Sequence, residues 1–436
     1  MASRFKPSRR QILTGAALGG AVLAAPWLRP DDQGGAHNAY FARLQMALKE
    51  AGLYRPTLVL DSERLYNNTQ RLIEHIHSDF AYRIVGKSLP SLPLINTVRK
   101  QTRTDRVMVF HQPFLNHLAE QMPDSNLLLG KPMPANAAKR FYAFHSKADF
   151  DPSRQLQWLI DTPQRLKEYS QLAAALGQRM QINLEMDVGL HRGGFRDAED
   201  VALAIMSLRE DPHLEFTGFM GYEAHISKMP GIVGGPEQAM KNAMAFYTQC
   251  REAAQRVLGE GYRPEQLTFN AGGSSTYQMY SKQMYDNSAP CNELAVGSAL
   301  VKPSDFDVST LDDHIPAAFI ATPVLKTRDA VEVPGLENFA GLMSLLNPNK
   351  SRSFFTYGGY WKANPESPPG LTTNSLYGRS TNQEMLNGSD SVKLAVDDFV
   401  FLRPTQSEAV FLQFGDIAVF DGLHITEQWP VFQQGA

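Results

Sequence analysis

The sequence predicts an α/β fold: a (β/α)8 barrel of the TIM type followed by a smaller, β-rich C-terminal domain. Three observations predict it. Eight apolar runs between Tyr82 and Gly297 are separated by helix-length segments, which is the pattern of parallel strands joined by crossover helices. Polar residues recur directly after those runs, where a barrel of this kind builds its site. Beyond about residue 305 the texture changes to apolar runs divided by prolines and glycines, as in antiparallel β-structure.

Taken in order, the first thirty residues read as an address. Arg4, Lys6, Arg9 and Arg10 precede a short run rich in glycine and alanine, and small residues follow near Ala24. Ser8-Arg9-Arg10-Gln11-Ile12-Leu13 is similar to a twin-arginine export signal, and the apolar run is shorter than the roughly 20 residues of a membrane span. The chain is therefore expected in a bacterial periplasm, delivered folded by the twin-arginine machinery, with no stable membrane anchor. Residues 31–56 are expected to pack with the β domain.

The strand and helix alternation opens with TLVLD at Thr57 and the helical ERLYNNTQRLIEHI. The eight runs follow: YRIVG at 82, VMVF at 107, NLLL at 126, QWLI at 157, MQINLEMDV at 180, LEFTGFM at 214, LTFN at 267 and NELAVG at 292. Residues 57–305 are assigned to the barrel and 306–436 to the β domain, with AAFIATPVLKTRD, FVFLRPTQSEAVFLQFGDIAVFDG and TEQWPVF as its strands. Among 436 residues, 43% are hydrophobic and 20% charged, and the net charge of −3 supplies no basic field. Nucleic acid is excluded as a partner on that ground. Cys250 and Cys291 allow at most one internal disulfide, and sequence alone leaves their pairing open.

The chemistry starts at YRIVGKSLPS, where a strand delivers Lys87 at its carboxyl end. Such a lysine either sits in solvent or forms a Schiff base, and the second role needs partners. FNAGGSSTY, residues 269–277, provides one. Adjacent glycines let the backbone approach a ligand, and their amides, with the hydroxyls of Ser274, Ser275 and Thr276, can cradle a phosphate. A lysine amine and a phosphate cradle on one cavity are what pyridoxal phosphate requires. His111, Lys131, Asp161, Asp187, Arg192, Tyr222 and His225 fall at the ends of the other runs.

PTLVLDSERLYNNTQRL, VGKS, LEMDVGLHRGGF, GFMGYEAHI, NAGGSSTY and NELAVGS together resemble the D-threonine aldolases and eukaryotic D-serine dehydratases of the alanine-racemase-like (fold type III) pyridoxal-phosphate class. The resemblance covers residues 55–305. It implies Lys87 as the Schiff-base lysine, Arg192 at the pyridine nitrogen, Gly272, Gly273, Ser274, Ser275 and Tyr277 around the phosphate, and Tyr222 and His225 along the ring, His225 with a catalytic part. An arginine is always protonated, so the ring nitrogen it faces accepts a hydrogen bond and hardly takes a proton, which weakens the ring as an electron sink.

The chain departs from that family in RPTQSEAVF. Metal-dependent relatives carry a histidine and then a cysteine or aspartate there, whereas this chain has Gln406 and Glu408. Residues two apart on a strand share a face, so the pair is expected either to hold a hard cation (Mg, Mn or Ca) through oxygen or to leave Glu408 as an acid or base. The expected function is an exported lyase acting on D-amino acids, with β-hydroxy-D-amino acids as the favoured substrates. The alternatives are an amino-acid racemase and a non-catalytic barrel that binds the cofactor. A homodimer is expected, with the β domain of one chain, and so Gln406 and Glu408, capping the barrel of the other.

Overall fold

The computed structural model describes residues 29–434 apart from 77–79, 147–148, 281–288, 330–345 and 376. The export signal lies almost wholly outside the described residues. All eight runs form parallel strands that close into a barrel: β2 (Ala81–Val85), β3 (Arg106–Val109), β4 (Asn126–Leu129), β5 (Leu156–Ile160), β6 (Met180–Met186), β7 (Leu214–Gly221), β8 (Thr268–Ala271) and β9 (Glu293–Val296). Closure is made by β2 against β9, with Tyr82 opposite Leu294 and Ile84 opposite Val296. Each crossover is helical for local reasons. In Pro163–Leu176, for example, the Thr162 hydroxyl caps the Arg165 amide and Gly177 ends the helix in the left-handed region at φ 61°, where only glycine is free of strain.

TLVLD forms β1 (Thr57–Asp61), but outside the barrel. It pairs in parallel with Asp416–Phe420, Leu58 opposite Ile417. By contact the chain divides into two compact units, and the division differs from the boundary at residue 305. One unit holds Leu58–Ala318 together with Pro404–Asp421 and the residues from Thr426 on, and the other holds Phe319–Arg403, the chain before Leu58 and Gly422–Ile425.

In the second unit, β10 (Ala318–Arg328) runs antiparallel to Arg352–Thr356 and to Phe399–Pro404. Helix Ala39–Glu50 packs in the same unit through Phe41, whose ring centroid lies 5.1 Å from Phe319 and 5.0 Å from Phe401. Cys250 and Cys291 are both buried free thiols. Among the described residues, no helix is long and apolar enough to cross a membrane.

Candidate active site

The carboxyl ends of the barrel strands surround a cavity of about 820 Å³, lined by Lys87, Phe110, Asp161, Glu185, Arg192, Tyr222, Gly272, Gly273, Ser274, Ser298 and Glu408 among others. Lys87 enters it from a turn fixed by two backbone bonds, Gly86 N–H to the Met108 carbonyl at 3.0 Å and Ser88 N–H to the Val85 carbonyl at 3.1 Å. Its ammonium lies 4.8 Å from the centre of the Phe110 ring and 3.7 Å from Glu408 Oε1. The Ser88 hydroxyl donates to the same carboxylate oxygen at 3.2 Å and accepts from the Ser298 hydroxyl at 3.0 Å. A lysine amine and a carboxylate thus share one wall, and the Ser88 hydroxyl, itself held by Ser298, steadies the carboxylate.

The opposite side is set by the loop after β6. The Asp187 carboxylate gathers that loop by accepting from the amides of Gly189 at 3.2 Å and His191 at 2.8 Å and from Arg196 Nε at 2.9 Å. Burial alone would raise the Asp187 carboxyl, but the bonds from His191 and Gly189 hold it below the ordinary range. Asp187 is therefore committed to Arg196 and His191, and Arg192 is left free of ion pairs among the described residues. The Arg192 guanidinium stands 5.2 Å from the centre of the Tyr222 ring, a cation–π distance. Burial pushes the Tyr222 phenol up to about 12 and the Glu185 carboxyl up to about 7, which Arg192 opposes only in part.

The glycine loop after β8 lies between these walls. Added Cβ atoms show how tightly backbone fills the space: one on Gly273 would meet the Tyr222 ring at 2.9 Å, and one on Gly297 would meet Val85 Cβ at 2.8 Å. The amides of Gly273 and Ser274, which line the cavity, have no hydrogen-bond partner among the described residues. Unpaired amides at a glycine turn are an anion cradle, so the residues present fit pyridoxal phosphate, with Lys87 for its aldehyde, Gly273 and Ser274 for its phosphate, and Arg192 and Tyr222 for its ring.

Gly272 lines the cavity, but its amide is spent on the Glu223 carboxylate at 3.3 Å. Other expected site residues stand elsewhere. Ser275 offers its carbonyl to Thr310, and the Tyr277 hydroxyl pairs with His314 Nε2 at 3.1 Å, away from the cavity. His225 does not line the cavity either; burial lowers the basicity of its ring.

The sequence also places Gln406 and Glu408 on one strand face, and the structure corrects this. The strand ends at Pro404 and Glu408 opens the short helix Glu408–Phe411, while Gln406 donates to Asp305 at 3.0 Å. Proline cannot continue the ladder as a donor, and the four residues after it, Thr405 to Glu408, are all polar. Among the described residues no three His, Cys, Asp or Glu side chains gather as metal donors. Glu408 reaches Lys87 of its own chain, so the expected delivery of this carboxylate by a partner is also corrected. Glu223, Ser88 and Ser298 were not singled out by sequence. A carboxylate just past a strand end carries no local mark of burial.

A family model described as the alanine racemase N-terminal domain matches residues 60–305. The chain belongs to this family. Among solved structures, the fold is similar to D-threonine aldolase from Filomicrobium marinum (TM-score 0.66, 16% identity, covering 87% of this chain and 95% of that one). It is similar as well to D-threo-3-hydroxyaspartate dehydratase from Delftia sp. HT23 (TM-score 0.65, 14% identity, 87% and 98%). An alanine racemase-like protein from Idiomarina loihiensis gives a TM-score of 0.63 at 18% identity, covering 87% and 96%. A search of the curated proteins gave no match. At these identities the structural likeness is one of fold, and the cofactor class rests on the family model and on the cavity.

Proposed function

We propose that this alanine-racemase-family barrel is a pyridoxal-phosphate-dependent lyase that takes a D-amino acid bearing a β-hydroxyl group and cleaves Cα–Cβ or Cβ–O. The observation that carries the reading is Glu408 Oε1 standing 3.7 Å from Lys87 Nζ in the cavity that holds the phosphate cradle. The solved structures of similar fold include one named an aldolase and one named a dehydratase, and both names fit a site with a carboxylate beside the lysine. Bound there, pyridoxal phosphate supplies the electron sink that loosens bonds at the amino acid's Cα.

The chain's own residues do the rest. Lys87 anchors the cofactor and, once released by substrate, is an amine that can take or return a proton at Cα. Glu408, steadied by Ser88, takes the proton of the β-hydroxyl in aldol cleavage or returns one to the departing oxygen in dehydration. Arg192, always protonated, would donate a hydrogen bond to the ring nitrogen and keep it from taking a proton, which limits how far negative charge would spread into the ring. Tyr222, protonated throughout the working range, packs the ring under that guanidinium.

The test begins with cofactor-loaded protein, whose visible band should vanish on borohydride reduction with the label on Lys87. A panel of D-β-hydroxy amino acids should then yield glycine plus aldehyde, or keto acid plus ammonia, in a chelator-resistant reaction. Label on another lysine, or inversion without cleavage, would sink the lyase reading. Export through the twin-arginine route and a homodimer belong to the same proposal. They rest on the leader sequence and the family resemblance, and cell fractionation and sedimentation at micromolar concentration test them.

A further inference from the structure

Glu223 follows Tyr222 directly, yet its side chain is turned fully into the protein, with 0% of its surface exposed. No lysine or arginine pairs with it among the described residues. Its two oxygens are instead occupied by the segment after β8: Oε1 accepts from the Thr276 hydroxyl at 2.7 Å and Oε2 from the Gly272 amide at 3.3 Å, with the Tyr280 hydroxyl as a further donor. Gly272 and Thr276 belong to the glycine-serine turn, on either side of Gly273 and Ser274. Gly272 itself stands at φ 82°, a conformation open to glycine at little cost. The turn is thus gripped at its two ends from beneath, while its middle faces the cavity. From the other side the Ser274 hydroxyl accepts from the Ala299 amide at 2.9 Å.

We propose that Glu223 is the positioning residue of the phosphate cradle: by holding Gly272 and Thr276 it aims the amides of Gly273 and Ser274 at the cofactor's phosphate, and so makes the site select the phosphorylated cofactor. The inference rests on the pyridoxal-phosphate reading. A buried carboxylate beside an anion cradle needs a reason, because burial of an unpaired charge is costly. Burial raises the Glu223 carboxyl, the Thr276 hydroxyl opposing it, which limits the negative charge set against a bound phosphate. The Gly272 amide is removed from the donor set and serves the turn.

The experiment compares pyridoxal phosphate with pyridoxal, which lacks the phosphate but offers Lys87 the same aldehyde. Apoprotein is titrated with each and the visible band is followed, with melting temperature as a control of folding. In Glu223→Ala, affinity for pyridoxal phosphate should fall about tenfold or more, the loss of roughly one buried hydrogen bond, while affinity for pyridoxal moves less than about threefold, within the scatter of a neutral change. Glu223→Gln keeps an acceptor oxygen and should recover most of the preference. Thr276→Val, which releases one end of the grip, should lie between, and it serves if Glu223→Ala does not fold. Equal weakening toward both aldehydes, or no change toward either, would overturn the proposal. A wild-type protein that forms no band with either aldehyde would sink the cofactor reading itself, and this inference with it.

Discussion

Glu408 is the residue whose environment most narrows its role. Its carboxylate is half-exposed, touches the Ser88 hydroxyl and faces Lys87, so it can exchange protons with a substrate while held in place. Glu408→Gln keeps the shape and removes the base; kcat should fall about 10²- to 10⁴-fold, the usual worth of a positioned acid or base, with little change in KM. Parallel losses in kcat and cofactor affinity would mean instead that Glu408 shapes the cavity.

Glu185 makes a different prediction. Burial raises its carboxyl to about 7, so the folded, cofactor-free protein binds more protons than the unfolded chain between about 4.5 and 7, and stability falls as pH rises through that window. Denaturant titrations at about pH 5 and about pH 8 should show Glu185→Gln removing a slope on the order of 2 to 3 kcal/mol. At this scale Lys87, Arg192 and Tyr222 were legible because strand ends in a barrel face one mouth. Glu223 was not, since a side chain's turn inward depends on what waits there.

Among the elements, β7 shows how a strand can be read correctly and still hide its main device. LEFTGFM was legible as a strand, but pairing with β6 shifts register between Ile182 and Asn183, so that Thr217 is the extra residue of a bulge. Gly218 follows at φ 141°, and a Cβ there would lie 1.9 Å from the Thr268 carbonyl oxygen on β8. Gly218→Ala should therefore destabilise the barrel by about 3 kcal/mol or more, through strain and a forced backbone shift. Little change in the denaturation midpoint would show that the barrel absorbs the shift. A glycine inside a strand is a recognised sign of a bulge, so this feature was available to a closer reading. The end of the strand at Pro404 was a harder case, because apolar residues resume at Ala409 and Val410, and the short helix that carries them has no strong mark in the sequence.

At the scale of the molecule, the barrel is closed around a charged centre. Arg83 and Glu293 are both fully buried, with Nε to Oε1 at 2.5 Å, and Arg106 reaches the second carboxylate oxygen at 2.5 Å. Asn270 donates to Glu293 at 2.8 Å. Burial opposes ionisation of Glu293, but the two arginines hold it below the ordinary range. Glu293→Ala strands the Arg83 charge inside and should cost about 3 to 5 kcal/mol, seen as a large fall in melting temperature; a shift of a degree or two would mean that water enters and solvates Arg83. The barrel was legible as eight apolar runs divided by helix-length segments. The place of β1 outside it was not, because TLVLD looks like any other strand and its partner, Asp416–Phe420, lies at the far end of the chain.

That long return of the chain has a consequence for the order of events in synthesis. Ser88 and Glu408 bond across 320 positions of sequence, whereas Lys87, Arg192, the glycine turn and Ser298 are all made before residue 300. A nascent chain can therefore present an anchoring lysine and a cradle while its proposed acid–base residue is still unmade. Cofactor capture can precede catalytic competence, and a truncation ahead of residue 404 should leave, at most, a barrel that colours but does not turn over.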